Sequence, residues 1–148
     1  MRIEIDQSGR FEYTRQHTVL AFSNGRQGTI LIPAKTKRAC IEHIRNRGIK
    51  PPRQQTMLFA TALYLLVRER INSSTTLVID KEYFGNEGLV KSHLMNLLSR
   101  AGKWVESDQI QFTLIGKTSG AHHLAIATFR EQLEPDRIIK LEEMLAEL

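Results

Sequence analysis

Thr75-Thr76-Leu77-Val78-Ile79-Asp80 is a short, β-branched apolar run between polar residues, the pattern of a strand buried on both faces rather than of a helix. Asn72-Ser73-Ser74 breaks the chain before it, and Gly85 and Gly88 punctuate the loop after it. Helical patterns lie on either side. Upstream, Arg53 to Ile71 is apolar nearly all round through Leu58, Phe59, Ala62, Leu63, Leu65, Leu66 and Val67, which predicts a mostly buried helix. Downstream, Leu89, Val90, His93, Leu94, Leu97 and Leu98 recur at helical spacing up to Gly102, and Ile110 to Ile115 reads as a last strand. The alternation predicts β-α-β units with helices on the faces of a sheet.

The first third of the chain is patterned differently. Arg2 to Asp6 alternates polar and apolar residues, Ser8-Gly9 supplies turn chemistry, and Phe11 to Thr14 is a second β-compatible piece. Thr18 to Ser23 is rich in β-formers, Asn24-Gly25 is a strong hairpin signal, and Thr29-Ile30-Leu31-Ile32 forms the returning strand that Pro33 stops. An antiparallel meander is therefore expected. Ala39, Cys40, Ile41 and Ile44 suit a short helix ending at Gly48, with Pro51-Pro52 as a rigid break before the buried helix. At the other end, Gly116-Lys117-Thr118-Ser119-Gly120 turns the chain into a helix from about Ala121 to Leu133, and Pro135 opens a final amphipathic helix bearing Ile138, Leu141, Met144, Leu145 and Leu148. The expected class is α/β: one mixed sheet, antiparallel first and β-α-β afterwards.

With 148 residues, 41% of them hydrophobic and 25% charged, the chain fits a single domain of ordinary globular composition. Cys40 is the only cysteine, which excludes an intramolecular disulfide framework and a multi-cysteine zinc site and suits a reducing cytoplasm. No signal-peptide core is present at the N-terminus. The longest apolar-rich stretch, Met57 to Val67, is about half of the ~20 residues that span a bilayer, so no membrane is expected. A net charge of +5 and a pI near 9.6 favour a polyanionic partner. The charge is concentrated: Lys35, Lys37, Arg38, Arg45, Arg47, Lys50 and Arg53 lie within about twenty residues, opposed only by Glu42, and could line a nucleic-acid phosphate face. The plainer alternative is a solvated helix face followed by a basic loop.

Two strands end alike. Ile3-Glu4-Ile5-Asp6 and Leu77-Val78-Ile79-Asp80 each deliver an aspartate where an apolar strand runs into a polar turn. If they lie side by side and parallel, at the ~4.8 Å spacing of neighbouring strands, both carboxylates reach one point at the carboxyl edge of the sheet, where ligands collect in α/β folds. Carboxylates that close repel unless a cation or proton sits between them, and hard oxygen ligands suit Mg²⁺ or Mn²⁺. Taken singly, each aspartate could equally cap a local turn.

In these residues the chain resembles the ribonuclease H-like superfamily, whose fold is a five-stranded mixed sheet with this order of elements. The first strand with Asp6, followed by Gln-Ser-Gly, looks like the superfamily's first catalytic strand; Ile79-Asp80-Lys81-Glu82-Tyr83 looks like its fourth. Gly116 to Ala125, which contains Ala121-His122-His123-Leu124-Ala125, is similar to the last strand, loop and helix start, where a third metal ligand stands. Alignment on ribonuclease H puts that ligand at His122, and alignment on PIWI domains puts it at His123. One departure is that Arg53 to Val67 has no carboxylate, where ribonuclease H carries a glutamate near the start of the corresponding helix. Either Glu82 or Glu87 supplies the missing ligand or the site is incomplete. The segment Ala34 to Gly48 is a second departure.

The resemblance implies metal-assisted phosphodiester hydrolysis of DNA or RNA with Mg²⁺ or Mn²⁺, in which Asp6, Asp80 and His122 hold metal and Lys117 contacts a phosphate or orients the nucleophile. A second expectation is a catalytically inactive module of the same fold that binds nucleic acid or a protein. A third is an interaction module whose C-terminal helix, Pro135 to Leu148, docks on a partner or a second copy. No glycine-rich phosphate loop and no serine or cysteine nucleophile motif is present.

Overall fold

The computed structural model describes residues 1–24, 26–81 and 85–148. Among these, six strands form one mixed sheet in the order β5-β4-β1-β2-β3-β6: β1 (Arg2–Ser8), β2 (Thr18–Asn24), β3 (Arg26–Ile32), β4 (Thr76–Asp80), β5 (Ile110–Thr113) and β6 (Arg137–Ile138). The helices are α1 (Ala34–Asn46), α2 (Arg53–Val67), α3 (Glu87–Arg100), α4 (Gly120–Phe129) and α5 (Leu141–Leu145). β1, β2 and β3 form the antiparallel meander, whereas β4 pairs parallel with β1 and β5 parallel with β4.

Strand alternation sorts the two faces. Ile3 and Ile5 share one core with Leu20, Phe22, Ile30, Ile32, Leu77 and Ile79 and with Leu58, Phe59 and Leu63 of α2; each such side chain contributes roughly 1.5–3 kcal/mol by leaving water. Every residue of α2 from Thr56 to Val67 is buried, as its all-round apolar pattern predicts, because the sheet lies on one side and α1 and α3 on others. Glu4 and Asp6 project from the opposite face, which α4 covers through the small buried residues Ala121, Ala125 and Thr128. Small residues are needed there: a Cβ on Gly120 would lie 2.7 Å from Ser23 Oγ.

The sheet has six strands rather than the expected five, and the difference lies at the C-terminus. Instead of one amphipathic helix from Pro135, Asp136 clamps the chain onto β3: its carboxylate accepts from the Thr29 amide at 2.9 Å, and its own amide donates to Thr29 Oγ1 at 2.9 Å. β6 then runs parallel to β3, and the Ile139 amide donates to Leu31 O. Ile138 is consequently exposed and Ile139 buried, a period-2 outcome that a helical reading inverts. Only Leu141–Leu145 is helical, and Met144, Leu141 and Leu148 pack into the chain's own core, so this apolar face is already covered.

Phe11 to Thr14 is not a strand but part of the turn between β1 and β2. Phe11 is fully buried against Phe59 of α2, which folds the segment over the core rather than along the sheet edge. The last helical stretch before Pro135 ends at Phe129, short of Leu133. No helix among the described residues is long and apolar enough to cross a membrane.

Candidate functional site

In the β1–β4 ladder Ile5 stands opposite Ile79, so Asp6 and Asp80 occupy neighbouring positions on the face that α4 covers; Asp80 ends β4, but Asp6 does not end its strand as expected, because β1 continues its pairing with β2 through Ser8. The parallel adjacency on which the two-aspartate argument depends is present. Asp6 is buried and Asp80 partly exposed.

Each carboxylate is held by named groups. Asp6 Oδ1 accepts from the Gln7 amide at 2.8 Å, and Asp6 Oδ2 lies 2.9 Å from His122 Nδ1. Asp80 Oδ1 accepts from the Ile115 amide at 2.7 Å, which ties the end of β4 to the chain beyond β5. Burial pushes the Asp6 carboxyl above its ordinary value of 3.8; the hydrogen bond with His122 opposes that, and the charge of Asp80 adds to it. The Asp80 contribution means that the two carboxylates sense one another, as like charges converging on one point must.

His122 belongs to this site and His123 does not share its contact. α4 begins at a Ser119 cap, whose hydroxyl oxygen accepts from the Ala121 amide at 3.2 Å and donates to Glu4 Oε1 at 3.0 Å. That anchorage to β1 points the stripe Ala121, Ala125 and Thr128 inward and sets His122 beside it, over Asp6. His123 is exposed, its ring 5.8 Å from that of His122 and edge-on to it. The helical stripe was legible in the sequence, because residue 122 is adjacent to positions 121 and 125 on the wheel whereas 123 is turned away. Glu4 and Ser119, which fix the start of α4, were not among the expected site residues; the serine ahead of a helical run was their one sequence signal.

The remaining candidates are dispersed. Glu87 stands in the first turn of α3 and its carboxylate lies 3.9 Å from Lys81 Nζ; among the described residues no hydrogen bond or ion pair joins it to Asp6, Asp80 or His122. Glu82 lies outside the described residues. Lys117 is exposed in the turn before α4. Among the described residues no group of three or more His, Cys, Asp or Glu side chains is gathered closely enough to hold a metal. Asp6 and Asp80 are hard oxygen donors of the kind Mg²⁺ takes, one or two carboxylates being completed by waters and substrate phosphates, whereas the His122 imidazole is not a ligand Mg²⁺ favours.

The basic segment divides. Lys35, Arg38, Arg45, Arg47, Lys50 and Arg53 are exposed on α1, on the connection to α2 and at the start of α2. Lys37 is not part of that surface: its side chain is fully buried, and Nζ donates to Tyr13 O at 2.8 Å, Thr18 Oγ1 at 2.9 Å and Arg10 O at 3.2 Å. Burial lowers its pKa to about 8. It latches the β1–β2 connection onto α1, which removes it from the expected phosphate face. Position 37 falls on the same helical stripe as Cys40, Ile41 and Ile44, so the burial follows from the helix wheel once α1 packs inward. No protein-family model and no curated protein matches the sequence.

Proposed function

We propose that the chain is a divalent-metal-dependent nuclease of ribonuclease H-like fold, acting on phosphodiester bonds of nucleic acid. The observation that carries the proposal is the juxtaposition of Asp6 and Asp80 on adjacent parallel strands with His122 hydrogen-bonded to Asp6. The strand order β5-β4-β1-β2-β3, which places the two aspartate-bearing strands together in the middle of the sheet, supports the fold assignment. The exposed basic side chains from Lys35 to Arg53 support a polyanionic substrate.

Asp6 and Asp80 would hold Mg²⁺ or Mn²⁺, which when bound supplies Lewis acidity toward a phosphoryl oxygen and a lowered pKa for bound water. The protein's own part is orientation and proton handling. Asp6 fixes the ring of His122 through Nδ1; with Nδ1 carrying the hydrogen toward the carboxylate, Nε2 is left to take up or release a proton. The Ile115 amide keeps Asp80 in place, and Ser119 fixes the start of α4, which sets the His122–Asp6 distance. Lys117, exposed in the preceding turn, would contact a substrate phosphate.

A second reading, nucleic-acid binding without cleavage, is favoured by the absence of any carboxylate from α2. One experiment separates the two. Purified protein is incubated with single- and double-stranded DNA and RNA in chelator, Mg²⁺ or Mn²⁺, beside Asp6→Asn and Asp80→Asn. Loss of several kcal/mol of metal-derived stabilisation lowers the rate by about a hundredfold or more while circular dichroism is unchanged. Metal-independent binding with no cleavage, or cleavage equal in all three proteins, refutes the nuclease reading.

A further inference from the structure

On the other face of the sheet, between the first turns of α2 and the middle of α3, lies a cavity of about 340 Å³ whose polar lining is Arg53, Thr56, Ser92, His93 and Asn96. Met57 and Leu89 supply its apolar wall. The size is within the range of small-ligand sites, and no carboxylate among the described residues lines it.

The charge around it is one-signed. Arg47 from the end of α1, Arg53 from α2 and Arg100 from the end of α3 all act on the His93 ring, and together with burial, the largest cause, they lower its pKa. All three arginines are exposed, and none forms an ion pair among the described residues. His93 Nε2 is buried without a hydrogen-bond partner. Positive charge from three elements disfavours protonation of the ring, and an anion in the cavity would relieve that and offer the buried Nε2 a partner. The donors suit one kind of anion. The Thr56 hydroxyl donates to Arg53 O at 3.0 Å, which leaves the Arg53 guanidinium, the Ser92 hydroxyl and the Asn96 amide beside His93. A guanidinium fork accepts carboxylate and phosphate alike, but with the Ser92 and Asn96 donors beside it the cleft offers more donors than the two oxygens of a carboxylate fill, which suits the additional oxygens of a phosphate.

We propose that the α2–α3 cleft binds a phosphate group, carried either by a nucleic-acid strand or by a free nucleotide. The inference goes beyond the nuclease reading and does not rest on it, since it uses none of Asp6, Asp80 or His122. An anion in the cleft favours the protonated His93 ring, so affinity for a phosphate whose own charge is fixed rises as pH falls through the histidine's range.

The test uses the full chain labelled for histidine NMR, in chelator. The His93 ring is titrated against pH alone and with inorganic phosphate, a mononucleotide, a 5′-phosphorylated oligonucleotide and the same oligonucleotide with a 5′-hydroxyl. Phosphate should raise the His93 pKa by about one unit, equivalent to a tenfold change in affinity across the titration. Arg53→Gln, at an exposed position, should weaken binding by about tenfold, and Arg130→Gln, exposed at the end of α4 away from the cleft, should leave it unchanged. Tighter binding of the phosphorylated strand than of the mononucleotide identifies the strand as the source, and the reverse order identifies a nucleotide. If no phosphate-bearing probe moves His93, or if the shift persists undiminished in Arg53→Gln, the proposal is wrong.

Discussion

Replacing Asp80 by asparagine tests the convergence of the two aspartates without knowledge of the substrate. Asp6 is 4% exposed and stands next to Asp80 across strands ~4.8 Å apart. Two unit charges at that separation repel by up to about 3 kcal/mol at an effective dielectric of 20, and solvent at the partly exposed Asp80 screens some of this. Asparagine removes the repulsion but weakens the charge-assisted hydrogen bond from the Ile115 amide by about 1 kcal/mol. In chelator, Asp80→Asn should therefore be as stable as the parent or more stable, by roughly 0–2 kcal/mol. Mn²⁺ should reverse the order. A ligand that binds only the folded state stabilises it by about 2.7 kcal/mol at a hundredfold excess over Kd, a rise in Tm of roughly 5–10 °C for a chain of this size, and the variant should lose most of it. The assay is a pair of melting curves for each protein, with and without metal. An equal loss of Tm in both conditions, with no effect of Mn²⁺ on the parent, would show that Asp80 only pins Ile115, and would refute the metal site.

Lys37→Met should destabilise by about 1–3 kcal/mol, since three oxygens lose their donor, and urea titrations should resolve a pH signature. A lysine whose pKa falls from 10.5 to about 8 on folding is penalised in its charged form, so the parent should gain stability relative to the variant as pH rises from 8 to 10.5; a constant difference would contradict the latch. Gly9→Ala should cost about 2–4 kcal/mol, because Gly9 has φ +76° and an added Cβ would lie 2.4 Å from both His17 O and the Phe129 ring; an unchanged urea midpoint would rule out that close approach. Neutralising Lys35, Arg38 and Arg45 together should reduce the slope of log affinity against log salt by about 2–3 for a nucleic-acid ligand, whereas Lys37→Met should leave it unchanged. An unaltered slope in the triple variant would make the patch an ordinary solvated face.

The sequence by itself determined the kind of element at most positions and that Asp6 and Asp80 each follow an apolar strand run, because these depend on period and turn chemistry within a few residues; that β1 carries on past Asp6 to Ser8 was set by its pairing with β2. The β-branched run at Thr75 to Asp80, the antiparallel pairing of β2 with β3 and the all-round apolar α2 needed no distant contact to be read; Gly25 of the expected Asn24-Gly25 turn lies outside the described residues. Even Lys37 and His122 carried a local signal, each standing on or beside the inward stripe of its helix. Tertiary structure alone decided which strands became neighbours, and hence that Asp6 and Asp80 meet, since packing joins them across half the length of the chain. It decided that Pro135 to Ile139 extends along β3 rather than coiling, because the free edge of β3 and the Asp136–Thr29 pair offer backbone partners that no local pattern reveals. It also decided that Arg53 lines one cleft with His93 and that the charges of Arg47 and Arg100 reach that ring, since the end of α1, the start of α2 and α3 are brought together only by burial of apolar faces.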